Sequence, residues 1–274
     1  MNKKITGFSA VTTAVTVLFC ALIFQMCIQL LTEGFASVAF GESISTNIFL
    51  ATLCKIVYGV SGGLIAWFIL GRLCESEENI QFGLPEHDGF DVKTTVVRVA
   101  VIVLFGFAMQ MLAYCVLNIC YGVMAETELF KNYGQLISKL EGSDNRIMFL
   151  YTMLAAPFLE EFVFRGLIFY IGRKGFDFWG ANVLQALMFG LYHGNLIQGI
   201  YAFVLGLLLG YMAEHRRNMA EPVLLHIVVN ATGIWVVPKL FIGAASLYTG
   251  IIIAIIMLAL IIKSGILAEK HIQR

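Results

Sequence analysis

Residues 147–172 read Ile-Met-Phe-Leu-Tyr-Thr-Met-Leu-Ala-Ala-Pro-Phe-Leu-Glu-Glu-Phe-Val-Phe-Arg-Gly-Leu-Ile-Phe-Tyr-Ile-Gly. A helix needs about 20 apolar residues to cross the hydrocarbon core of a bilayer, and this stretch is long enough. It also carries Glu160, Glu161 and Arg165 near its middle. A charged group at the bilayer centre costs at least about 2.5–3.5 kcal/mol on insertion scales. Three in one span need partners or a wet cavity, so the stretch reads as a membrane helix built around a polar site.

The remainder of the chain agrees. Of its 274 residues, 59% are hydrophobic and 13% are charged, against about 25% charged in a soluble domain. Eight segments are apolar and long enough to span: roughly 7–31, 47–71, 96–123, 147–172, 177–194, 196–214, 221–240 and 244–263. The expected fold is all-α. It is a polytopic membrane protein of about eight transmembrane helices, one membrane domain over 1–274, with its catalytic core in the C-terminal half. The first apolar run exceeds the 7–15 residues, roughly, of a signal-peptide core and reads as a retained span. Leu129, Phe130, Tyr133, Leu136, Ile137 and Leu140 recur at a helical period, which predicts a short interfacial helix.

Basic residues set the expected topology. With the N-terminus inside, 12 of the 18 Lys and Arg fall on the inner side and 4 on the outer. That bias follows the positive-inside rule and places both termini in the cytoplasm. A bacterial plasma membrane is the expected location, and the lipid bilayer an obligatory partner. Formal net charge is zero, which gives a nucleic-acid partner no electrostatic support. The six cysteines include no CxxC pair and read as small buried hydrophobes. His87, His215 and His271 lie in polar stretches and are expected to be solvated. Trp67, Trp179 and Trp235 read as interface anchors or packing. Mid-span Lys55 is expected to snorkel or to pair with a carboxylate.

Helical spacing separates the two glutamates. Glu161 and Arg165 are four apart, share a face and can pair. Glu160 is rotated by about 100° from Glu161 and needs another partner. It is the better candidate for a general base. His193 ends the next span, four residues after Phe189. Glu160 and His193 each lie about 16 residues from the turn near residues 174–177, hence at similar depth. His226 and Asn230, also four apart, share a face of the seventh span. A neutral imidazole and an amide suit a metal or a developing oxyanion. Straight helices would leave His226 nearer the cytoplasm than Glu160 by about 10 Å, so either a span is broken or tilted or the sixth and seventh segments enter more deeply. The set is hydrolytic in character, without an HExxH zinc motif or a GxSxG elbow. A proton-coupled transporter would account for the buried charges too.

The segments Glu-Glu-Phe-Val-Phe-Arg-Gly (160–166), Phe-Gly-Leu-Tyr-His-Gly-Asn (189–195) and His-Ile-Val-Val-Asn (226–230) match EExxxR, FxxxH and HxxxN motifs in order. Over residues 146–240 the chain thus resembles the CPBP intramembrane endopeptidases. That family includes type II CAAX prenyl proteases and bacteriocin-processing or self-immunity proteins. The resemblance implies an eight-helix fold and hydrolysis of a peptide bond in a membrane-associated protein or peptide. It implies that Glu160 activates water, that His193 binds that water or a metal, and that His226 and Asn230 stabilise the oxyanion. Glu161 and Arg165 would support the site. Glu160, His193 and His226 are the expected ligands should zinc take part, and a metal-free glutamate–water mechanism uses the same residues. A non-catalytic self-immunity protein is the other reading the family carries.

Overall fold

The computed structural model describes residues 5–40, 48–75, 92–141, 151–216, 219–233 and 244–263. All regular structure among them is helical. The helices are α1 (Gly7–Phe40), α2 (Ile48–Glu75), α3 (Val92–Met124) and α4 (Glu128–Glu141), followed by a continuous irregular rod, α5. α6 (Phe178–Tyr192), α7 (Leu196–Arg216), α8 (Ala220–Ala231) and α9 (Ala244–Lys263) complete the set. The rod α5 alternates π and α winding: Tyr151–Ala155 (π), Ala156–Glu161 (α), Phe162–Ile168 (π) and Phe169–Gly175 (α).

The expected apolar segments overlap helices α1–α3 and α5–α9 where these are described, and the predicted amphipathic helix is α4. This is an integral membrane protein. Gly7–Thr32, Lys93–Met124 and Leu196–His215 are long and apolar enough to cross a membrane. Leu53–Ala66, Ala220–Ala231 and Tyr248–Ala259 are shorter apolar helices. On α1, Phe19, Ile23, Met26 and Leu30 face outward, where lipid is the natural solvent. Residues 234–243, including Trp235, lie outside the described residues, as do His87 and His271.

Three apolar clusters hold the helices. The first joins α1, α2, α5, α6 and α7 through residues such as Leu18, Tyr58, Leu159, Phe164, Met188 and Phe189. The second packs Ile102 and Phe105 of α3 against Leu209 of α7 and Leu225 and Val229 of α8. The third sets Met111 and Cys115 of α3 against Ala254 of α9.

Two sequence expectations fail here. Cys54 and Cys115 are buried, but Cys20 and Cys27 are exposed on α1. In lipid an apolar thiol has no reason to hide, so burial does not follow from hydrophobicity. His215 is not a solvated surface histidine. It is part-buried, stacked on Tyr211 with ring centroids 3.9 Å apart and hydrogen-bonded through Nδ1 to the Tyr211 carbonyl. Trp179, 61% exposed, does fit an anchoring role.

Candidate active site

Glu160 and Glu161 end the α-wound part of α5, and Arg165 follows in the π-wound part. π segments recur at functional sites because they leave backbone groups unpaired and turn side chains off the regular pitch. In the first π segment, Asn230 Nδ2 donates to the Thr152 carbonyl at 3.1 Å. That bond pins α8 to α5. At the other face of α8, a Cβ on Gly106 of α3 would stand 2.7 Å from Val228 Cγ1. Only a glycine lets α3 press α8 so closely onto α5.

The two glutamates differ as their spacing predicts. Arg165 Nη1 donates to Glu161 Oε1 at 2.9 Å, and both side chains are fully buried. The same oxygen also accepts from His226 Nδ1 at 2.8 Å. Glu161 is therefore more than a partner to Arg165. It orients His226 and selects the tautomer whose Nε2 points away from Glu161. That Nε2 lies 3.6 Å from Glu160 Oε2. The partner that Glu160 lacked on its own helix is supplied from α8. The offset of about 10 Å that straight helices would give is absent, because the span carrying Glu160 is irregular, one of the two resolutions expected, and His226 stands against both carboxylates. α5 alternates π and α winding, so a uniform rise did not apply along it.

Phe189 is the hub that sequence reasoning passed over. Its fully buried ring lies 4.3 Å from the Arg165 guanidinium carbon. It is 4.8 Å from the His193 ring and 5.6 Å from the His226 ring, edge-on to each. The π face explains how Arg165 tolerates burial with Nε and Nη2 unbonded. A guanidinium over an aromatic ring gains cation–π attraction, about 2 kcal/mol or more when desolvated. The motif phenylalanine was itself the available signal, but the spacing to His193 indicated only a shared face.

His193 is placed by the end of α6. It is the C-cap residue, and Gly194 follows at φ +66°, a conformation that favours glycine. Asn195 then caps α7, its Oδ1 accepting from the Gln198 amide at 3.1 Å. The Gly-Asn pair thus closes one helix and opens the next. His193 Nδ1–H donates to the Phe189 carbonyl at 2.8 Å, which leaves Nε2 with a lone pair. Tyr192, beside it, lines the same crevice as Glu160.

The antiparallel pair α6–α7 is brought together at Gly190 and Gly199. A Cβ at Gly190 would come 2.7 Å from the Gly199 carbonyl oxygen. Backbone cannot yield as a side chain can. Gly190→Ala is expected to destabilise the protein by about 1–3 kcal/mol, as overpacking does. Thermal unfolding in detergent would show it, and an unchanged midpoint would contradict the close approach.

Glu160, His193 and His226 do not fit a shared metal as placed. Among the described residues, no group of three or more His, Cys, Asp or Glu converges to hold an ion. No hydrogen bond or ion pair joins Glu160 to His193 among those residues.

Residues 142–232, about a third of the chain, match the family described as type II CAAX prenyl endopeptidase Rce1-like. The match bears out the resemblance to CPBP intramembrane endopeptidases read from the three motifs. A curated Bacillus subtilis (strain 168) protein named "Putative membrane peptidase YdiL" is 23% identical over 84 residues. That similarity covers 31% of this chain and 34% of the relative. No solved structure matches the chain significantly.

Proposed function

With the type II CAAX prenyl endopeptidase Rce1-like match lying over the three motifs, we propose that this protein is an intramembrane endopeptidase acting on a membrane-associated peptide or protein. The observation that carries this reading is Glu160 Oε2 standing 3.6 Å from a His226 Nε2 whose other nitrogen is held by Glu161. That separation is too long for a good hydrogen bond but allows one water to bond both atoms. Glu160 takes a proton from this water as its oxygen attacks the peptide carbonyl carbon. The carbonyl π electrons move to oxygen, giving a tetrahedral oxyanion. When the C–N bond breaks, the proton passes from Glu160 to the leaving nitrogen.

Two carboxylates and one guanidinium leave the buried set with one uncompensated negative charge when both histidines are neutral. Taking the proton from water neutralises Glu160 and moves that charge onto the oxyanion, so the site must supply a donor there. With both histidines neutral and their Nδ1–H groups spent, the unspent Asn230 amide proton is the donor available to the oxyanion, and the imidazole Nε2 atoms can only accept. Glu161 and Arg165 act through His226 as positioning residues. The steps above use the chain's own side chains alone.

The test is cleavage by purified, reconstituted protein. Two probes are apt: a fluorogenic peptide ending in farnesyl-cysteine and three residues, and a panel of unlipidated apolar peptides. Hydrolysis of either class, absent in mock-purified membranes, is expected. Proton-driven flux into liposomes without hydrolysis of any probe would replace this reading with the transporter one.

A further inference from the structure

A narrow crevice lies beside Glu160, lined by Ala21 of α1, Tyr58 of α2, Leu159, Val163 and Phe164 of α5, and Tyr192 of α6. Apart from Glu160, its polar side-chain atoms are two phenol oxygens. Tyr58 and Tyr192 bring these to 3.0 Å from each other across 134 residues of sequence. α2 reaches this position through its small residues. A Cβ at Gly62 would lie 2.9 Å from Leu159 Cδ1, and one at Gly59 3.2 Å from the Tyr151 ring and from Ala155 Cβ. These approaches lay α2 on the turn of α5 that leads into Glu160.

A phenol hydroxyl donates one proton and accepts as well. The pair holds two such protons and spends one on its mutual bond. The second has no acceptor among the described residues, and neither hydroxyl bonds Glu160. A peptide drawn into an apolar cleft has the opposite deficit. Its carbonyls lose water, and a buried carbonyl without a donor is costly. We propose that the spare O–H of the Tyr58–Tyr192 pair binds the substrate, donating to a main-chain carbonyl next to the scissile bond and so setting the peptide's register against Glu160. The ligand class is an extended peptide with apolar side chains. The proposal rests on the hydrolytic reading above. It also gives the N-terminal helices, which lie outside the family match at 142–232, a part in choosing the substrate.

The full-length protein in detergent, with whichever probe peptide it cleaves, provides the test through Tyr58→Phe, Tyr192→Phe and the double variant. Each single change leaves one hydroxyl with its proton free, so kcat/KM is expected to fall less than about threefold. The double change removes the donor, and kcat/KM is expected to fall about tenfold or more, chiefly through KM. Its unfolding midpoint is expected to stay close to that of the unsubstituted protein. Equal losses in the singles and the double would mean that the mutual bond matters only for structure, and would overturn the proposal. A double variant with unchanged kcat/KM, or one whose loss tracks its unfolded fraction, would do the same. If the unsubstituted protein cleaves no probe, the hydrolytic reading fails first; if it cleaves and the double variant matches it, this proposal fails alone.

Discussion

Glu160→Gln is expected to give a protein that folds and inserts but hydrolyses peptide about 10²–10⁴-fold more slowly, the range a positioned general base supplies. The substitution keeps the volume and an oxygen that can still hold water. It removes only the ability to take a proton. Glu160 is suited to such a change because its contact with the neutral His226 Nε2 is 3.6 Å long, so no short ion pair would be broken. KM should therefore move little while kcat collapses, the pattern of an interaction made only in the transition state. Turnover near that of the unsubstituted protein would remove Glu160 from the chemistry. A loss confined to KM would make it a binding residue.

The second large effect concerns Glu161 and Arg165. Glu161→Met strands a fully buried guanidinium, and Arg165→Met strands a fully buried carboxylate. Breaking a buried pair from one side costs about 3–5 kcal/mol, whereas replacing both partners with apolar groups is often close to neutral. The double substitution is therefore expected to recover much of what either single one loses. Recovery should be incomplete, because His226 Nδ1–H then loses its acceptor, a further cost of about 1–3 kcal/mol. Activity should not return with stability, since the imidazole facing Glu160 is no longer held. Equilibrium unfolding in detergent and a cleavage assay on the same four proteins would check both parts. Additive stability losses around that cycle would mean the pair is not coupled.

Local spacing was enough for some of the site. The Glu161–Arg165 pair and the Phe189–His193 pairing each lie within four residues of one helix, where pitch alone sets the geometry. The amphipathic helix α4 was legible for the same reason. Tyr58 was not, because nothing near it in sequence names Tyr192 as its partner. The run Gly59 to Gly63 was the one hint, since small residues allow helices in membranes to approach closely.

By itself, then, the sequence determined a helical membrane protein with a charged site inside it, and which glutamate pairs with Arg165. Apolar length and helical period are local quantities, and lipid leaves few other folds open. Tertiary structure alone decided that Glu161 also holds His226, that Phe189 joins Arg165 to both histidines, and that α2 completes the cleft beside Glu160. These contacts depend on where helices cross. Crossing is set by glycine approaches at Gly62, Gly106 and Gly190, and by π winding in α5. A uniform rise of about 1.5 Å per residue carries neither.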